Sequence, residues 1–162
     1  MRIVFLIAFL NLSVLGQSQS SQIPVVNFEA LSQLMGRHTD TTYVTNFWAT
    51  WCKPCVAELP YFEQVENQYK DLPVKVLLIS LDFVSQLDEK LAPFVERHDL
   101  RSAIMVLDEP DANSWIDKIH PDWTGALPAT ILYRNGRRQF YEGSFESSSD
   151  LFAFIDSFTI NK

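Results

Sequence analysis

The chain has 162 residues, 47% of them hydrophobic and 20% charged, with 5 Gly, 8 Pro and 2 Cys. That balance belongs to a globular protein and excludes a disordered, collagen-like or disulfide-stapled chain. Its 13 Lys and Arg against 20 Asp and Glu leave a formal charge of −7, so nothing draws it to nucleic acid or an anionic membrane.

Met1-Arg2 and the mainly apolar stretch Ile3 to Leu15 read as a secretory signal, shorter than the roughly 20 residues of a bilayer span. Val14 and Gly16 suit signal peptidase, so residues 1–16 are expected to be removed and the mature chain to start near Gln17. An uncleaved signal that anchors the chain in the membrane is the alternative. Either way the folded part is expected outside the cytoplasm, periplasmic or secreted, where disulfides persist. Residues 17–24, rich in Gln and Ser at their start, are expected to form a flexible leader, and residues 25–162 a single domain.

Along that domain, Asn27 can cap a helix carrying Phe28, Leu31, Leu34 and Met35 on one face, with Gly36 at its end. Thr41 to Trp48 is β-branched and aromatic, hence a strand. After Cys52, the positions Val56, Leu59, Phe62, Val65 and Tyr69 keep a helical spacing interrupted at Pro60. Val74 to Leu81 is a nearly continuous apolar run, the pattern of a strand covered on both faces.

Leu87, Leu91, Phe94, Val95 and His98 predict a further amphipathic helix, and Ala103 to Leu107 another buried strand. Pro110 is placed to start a helix through Ala112, Trp115, Ile116 and Ile119 that Pro121 stops. Ala129 to Tyr133 and Arg137 to Tyr141 flank Asn135-Gly136, a hairpin signal. Ser148 or Ser149 then caps a last helix with Leu151, Phe152, Ile155 and Phe158 inside. The expected order is α-β-α-β-α-β-α-β-β-α, an α/β fold with a mixed central sheet flanked by helices.

Trp51-Cys52-Lys53-Pro54-Cys55 falls where the first long strand hands over to a helix. Residues three apart on a helical turn lie about 5 to 6 Å apart, within reach of a disulfide. Cys52, at the helix N-terminus, would meet free N–H groups and the positive dipole end that stabilise a thiolate, and Lys53 adds a positive charge. Cys52 is therefore the expected nucleophile and Cys55, one turn further in, the resolving thiol. Pro54 is tolerated in the first turn. A purely structural disulfide closing so short a loop would stabilise little. A zinc site would need two more ligands, and only His38, His98 and His120 are scattered elsewhere. Covalent haem attachment needs a His where Val56 stands.

Asn46-Phe47-Trp48-Ala49-Thr50-Trp51-Cys52-Lys53-Pro54-Cys55 resembles the active-site segment of thioredoxin-fold proteins, and within them the TlpA/ResA-like extracytoplasmic thiol-disulfide oxidoreductases. Gly125-Ala126-Leu127-Pro128-Ala129-Thr130 resembles the cis-proline loop of that fold. The resemblance covers roughly Val25 to Phe158, and a helix-strand insertion between the two halves, about Phe83 to Leu107, suits it. Asn46 stands where general thioredoxins carry a buried Asp, and Glu58 matches the Glu that the TlpA/ResA branch places shortly after the second cysteine.

The resemblance implies that Glu58 accepts the Cys55 proton, for which a partly buried carboxylate of raised pKa is suited. A cis bond before Pro128 would leave the Leu127 backbone free to pair with an extended substrate segment. Leu127 itself departs from the Val or Thr common at that place. Read without the resemblance, Glu58 is a solvated helix residue and Leu127-Pro128 an ordinary strand start. Trp48 is expected in the core and Trp51 as a partly exposed wall for partner docking.

What the resemblance implies overall is a thiol-disulfide oxidoreductase that works without cofactor or metal, acts on protein disulfides as a monomer, and reduces more readily than it oxidises. A membrane thiol carrier would recharge it, and apocytochrome c is one client the resemblance implies. An oxidase or isomerase of the same fold, and a redox-inactive binding module, are the alternatives. The Pro-x-x-x-Thr-x-x-Cys arrangement of peroxiredoxins is absent around Cys52.

Overall fold

The computed structural model describes residues 23–160; the expected signal segment and the leader up to Gln22 lie outside the described residues. Six strands form one sheet: β1 (Val25–Val26), β2 (Thr42–Trp48), β3 (Val74–Ser80), β4 (Ala103–Leu107), β5 (Ala129–Arg134) and β6 (Arg137–Glu142). Their spatial order is β1-β4-β3-β2-β5-β6. The first four are mutually parallel, β5 is antiparallel to β2, and β6 is antiparallel to β5. The described helices are α1 (Phe28–Met35), α2 (Lys53–Gln68), α3 (Ala92–Arg97), α4 (Ile116–Ile119) and α5 (Ser148–Ile160). None of them is long and apolar enough to cross a membrane.

Each sheet face has its own core, because successive side chains of a strand point to opposite sides. In β2, Val44 and Trp48 pack with Leu59, Phe62 and Val65 of α2 and Leu151 and Ile155 of α5. Phe47, from the other face, joins Leu31 and Met35 of α1 and Ile119 of α4. The connections β2 to β3 and β3 to β4 move in the same direction across the sheet, so right-handed crossovers put α2 and α3 on one face. β4, the strand of the expected insertion, lies between β1 and β3 and pairs with both.

Asn27 caps α1 by accepting the Ala30 N–H, and Asn135 and Gly136 both take positive φ in the β5–β6 turn, as the hairpin signal requires. Three expectations are corrected. β1 is an additional element: its two residues are too short to show a pattern, and they are held by Val106 and Leu107 of β4. Pro60 does not interrupt α2, which runs through it. Pro110 does not start one long helix: Ala112–Ser114 is a 3₁₀ turn, and α4 is a single turn after Trp115, whose φ of −136° leaves the helical region. The Trp115 indole is drawn inward, where its Nε1 donates to the Glu109 carbonyl and its ring packs on Phe47 and Trp123.

The amphipathic segment expected from Leu87 to His98 is helical but not uniform. A 3₁₀ turn at Val84–Gln86 leads into a π turn at Leu87–Leu91 and then α3. Pro93 has no N–H for the Glu89 carbonyl, so the turn before it is free to widen.

Leu78 is wholly buried at the centre of the sheet. Leu78→Ala is expected to cost about 2 to 5 kcal/mol in urea unfolding. Lys75→Ala, on the same strand but limited to a solvent-exposed ion pair with Glu66, should cost less than about 1 kcal/mol.

Candidate functional site

The site gathers at the end of the sheet where the parallel strands terminate. β2 runs out at Trp48, and after Ala49-Thr50-Trp51 the chain enters α2 with Cys52 as its N-cap and Pro54 in the first turn. Cys52 and Cys55 are joined as a disulfide with their Cα atoms 5.3 Å apart. Both are buried, Cys55 completely and Cys52 with 6% of its surface exposed. Cys52 caps α2 without a side-chain bond to it; a helix N-terminus is a place where free N–H groups favour a thiolate. Lys53, Pro54 and Trp51 are exposed around it, and Trp48 is buried beneath, packed on Phe94.

Glu58 lies one turn beyond Cys55 and is only 1% exposed, which sets aside the solvated alternative. Its Oε1 accepts from Asn46 Nδ2 at 3.1 Å and its Oε2 from the Phe145 N–H at 2.8 Å. Asn46 Nδ2 also donates to Thr130 Oγ1 at 3.0 Å. Burial pushes the Glu58 carboxyl up, and the bonds from Phe145 and Asn46 pull it partly back, leaving it at about 7.

Just before β5, whose Ala129 pairs with Phe47 of β2, the Leu127-Pro128 bond is cis. Neither the N–H nor the C=O of Leu127 has a hydrogen-bond partner among the described residues. The loop is braced from β6: the Glu142 carboxylate accepts from the N–H groups of Thr124 and Ala126, each at 3.1 Å, and from the Thr124 hydroxyl. Burial alone would raise Glu142, but these bonds outweigh it and hold the carboxyl below its usual value. Trp123 Nε1 donates to the Ala126 carbonyl at 2.9 Å, and Gly143 N–H to that of Pro128 at 2.9 Å.

Two groups at the site are invisible to motif reading. One is Glu142, the brace just described. The other is Asp82, 2% exposed, whose Oδ2 accepts from the Thr50 N–H and from Ser80 Oγ, both at 2.9 Å. Its Oδ1 accepts from Thr50 Oγ1 at 2.6 Å and faces Lys90 Nζ at 4.0 Å. Asp82 thus fastens the loop two residues before Cys52 to the insertion. Its only signal in the sequence is a Ser-x-Asp at the end of an apolar strand, the place where α/β sheets carry their sites. Among the described residues, no group of three or more His, Cys, Asp or Glu could hold a metal ion.

A vicinal cysteine pair capping a helix, together with a cis-proline loop on a sheet of this strand order, is the architecture of the thioredoxin-fold class. Within that class the chain belongs to the AhpC/TSA family, whose model it matches over residues 27–136. It is similar to the thiol-disulfide oxidoreductase ResA of Oceanobacillus iheyensis, 37% identical over 104 residues, which cover 64% of this chain and 47% of the relative. The ResA of Geobacillus thermodenitrificans is 34% identical over 114 residues, covering 66% of this chain and 60% of the relative. The chain therefore spans about half the length of the curated relatives it matches. Among solved structures, a thioredoxin-related protein from Neisseria meningitidis serogroup B superposes with a TM-score of 0.63 at 21% identity, over 76% of this chain and 88% of that one. At that identity the likeness concerns the fold.

Two measurements probe the buried carboxylates. The folded-state Glu58 value lies above its unfolded 4.5, so this group's contribution to stability is whole below about 4.5 and is lost as pH rises through about 7. The stability of the wild type relative to Glu58→Gln should accordingly fall between about pH 5 and about pH 8 in urea unfolding, and a constant difference would contradict the raised value. Asp82→Ala strands the Thr50 and Ser80 donors and should cost about 3 kcal/mol, with faster hydrogen exchange at the Thr50 amide.

Proposed function

We propose that the chain is an extracytoplasmic thiol-disulfide oxidoreductase that reduces disulfides of protein partners through Cys52 and Cys55. The observation that carries this reading is the Glu58 carboxylate, buried one helical turn beyond a helix-capping cysteine pair and poised near neutral pH. The bonds from Phe145 and Asn46 hold the carboxylate in place, and its burial leaves the charge only partly compensated, so that it can exchange a proton in that range.

In the reductive direction the Cys52 thiolate attacks one sulfur of the partner disulfide. That bond breaks, the first partner thiolate leaves, and a mixed disulfide forms. Cys55 gives its proton to ionised Glu58 and attacks the Cys52 sulfur, so the second partner thiolate departs and the Cys52–Cys55 disulfide closes. Two electrons pass to the partner, and a membrane thiol carrier supplies two more, its own dithiol becoming a disulfide as Cys52–Cys55 is reduced again. Leu127, with its backbone groups unengaged beside Pro128, offers the partner segment an edge for strand addition. Trp51, Lys53 and Pro54 form the exposed surround of the pair. Apocytochrome c is a client class consistent with this chemistry.

Location outside the cytoplasm follows from the expected signal at residues 1–16, with residues 25–162 as the catalytic domain. The opposite direction of exchange uses the same atoms, and only the potential separates the two.

Cys52→Ser is expected to abolish insulin reduction, while Cys55→Ser should accumulate mixed disulfides with captured partners. Full activity in Cys52→Ser would refute the nucleophile. Glu58→Gln should slow the release of the partner about a hundredfold and flatten its pH dependence near about pH 7. A reduction potential near about −120 mV, the range of strong oxidants, would overturn the reductive direction.

A further inference from the structure

The parallel register pairs Trp48 of β2 with Ser80 of β3, so the residues three positions beyond each strand end, Trp51 and Phe83, emerge at the same end of the sheet. They are 58% and 71% exposed, and Val84 beside Phe83 is 38% exposed. Aromatic side chains this exposed at the rim of a site are the usual anchors of recognition. Behind Phe83 lies a groove of about 230 Å³ with a floor of Leu81, Leu107 and Trp115 and a lip of Phe83, Val84 and Pro110. The groove adjoins the disulfide loop directly, because its wall residue Asp82 is the one that holds Thr50.

The charged residues that line this groove are all acidic. Asp82, Asp108 and Glu109 line it, and no Lys, Arg or His does so. Asp82 is occupied by Thr50, Ser80 and Lys90, and Glu109 Oε2 takes the Phe28 N–H at 3.3 Å. Asp108 is exposed and its carboxylate has no hydrogen-bond or ion-pair partner among the described residues. Lys90 is engaged by Asp82 at 4.0 Å, and Lys118 lies over the Phe28 ring at 5.5 Å. Lys53, at the start of α2, does not line the groove.

The geometry points to a docking surface for the partner polypeptide: the Trp51–Phe83–Val84 patch and the groove behind it receive an extended segment in which an apolar side chain is flanked by Lys or Arg, next to the disulfide to be exchanged. This rests on the exchange reading above and names its substrate class. An apolar side chain fills the floor between Leu107 and Trp115, and the flanking cations meet Asp108 and the edge of Glu109. Such complementarity raises the encounter rate and sets partner choice, and it weakens with salt. A neutral small disulfide has neither feature and gains nothing from the groove.

The test uses the reduced protein and three peptides, each with one cysteine capped as a mixed disulfide with 2-thiopyridine. One has Leu beside the cysteine with flanking Lys, one has Glu in place of Lys, and one has Ser in place of Leu. Release of thiopyridone is compared with that from 2,2′-dipyridyl disulfide, a neutral probe without a peptide. The Leu-Lys peptide should react about tenfold faster, relative to the neutral probe, than the other two, with the advantage over the Glu peptide shrinking as salt is raised. Phe83→Ser and Asp108→Lys should each lower that ratio about tenfold. Equal ratios for the three peptides, or a ratio unchanged within about twofold in both variants, overturn the proposal.

A second measurement does not depend on turnover. The serine analogue of the Leu-Lys peptide is titrated onto the oxidised protein and followed by Trp fluorescence. Binding about tenfold tighter than that of the Glu analogue, and lost in Phe83→Ser, supports the surface even if exchange were absent, whereas no binding overturns it. Failure of the neutral probe to react at all with the reduced protein, by contrast, would count against the exchange reading alone. Concentration-dependent self-association abolished by Phe83→Ser, without peptide binding, would assign the patch to a second copy of the chain and overturn the proposal.

Discussion

The parallel pairing of β2 with β3 is the constraint from which the site follows. Seven residue pairs, from Thr42 with Val74 to Trp48 with Ser80, fix the relative height of the two strands. A one-residue slip would turn every side chain of β2 to the wrong face. With the register set, the loop after Trp48 and the loop after Ser80 start level with each other, and the Leu81 N–H donates to the Trp48 carbonyl at 2.8 Å. Thr50 and Asp82 then meet at hydrogen-bond distance, and Cys52 arrives at the first turn of α2 in a fixed place.

Two buried carboxylates stand on either side of the cysteine pair, and they differ in how their charge is met. Asp82 has four donors or cations around it, from Thr50, Ser80 and Lys90, so an anion there is compensated and serves as a fastener. Glu58 has two donors, Phe145 N–H and Asn46 Nδ2, against nearly complete burial. Burial is the larger effect, and the proton affinity rises accordingly. A carboxylate that is fully compensated holds a shape, and one that is compensated only in part can exchange a proton near neutral pH.

The same division explains the loop of Leu127 and Pro128. Its backbone is braced from one side by Glu142, Trp123 and Gly143, while Leu127 keeps its own N–H and C=O without partners among the described residues. A segment rigid on one edge and unpaired on the other is the arrangement to which an extended chain can add.

Most of the element order was legible because long elements carry periodicity. The apolar run of β3, the β-branched and aromatic composition of β2 and the helical spacing of α2 each speak over many residues. Short elements did not show, since β1 has two residues and depends on β4 for its existence. Trp115 left the helix expected after Pro110 because the core on that face claimed its indole, a preference of packing that local spacing does not encode. The cysteine pair was read from its own spacing at a strand-helix junction, and the separation of 5.3 Å is what one helical turn imposes. Glu58 entered through a family resemblance, and its burial could not be inferred from a helix position alone.

What the sequence determined by itself was therefore chemistry carried within one turn or one strand: the Cys52–Cys55 pair, the strand before it, the hairpin at Asn135-Gly136. Only the tertiary structure decided what meets that chemistry. Asn46 of β2 and the Phe145 N–H reach Glu58 from distant parts of the chain, with Thr130 of β5 accepting from the same Asn46 amide, and Asp82 reaches Thr50 across 32 residues of chain. A hydrogen bond between distant residues requires that both be delivered to within about 3 Å, and that delivery is the work of sheet register and of the two cores, which no local pattern contains.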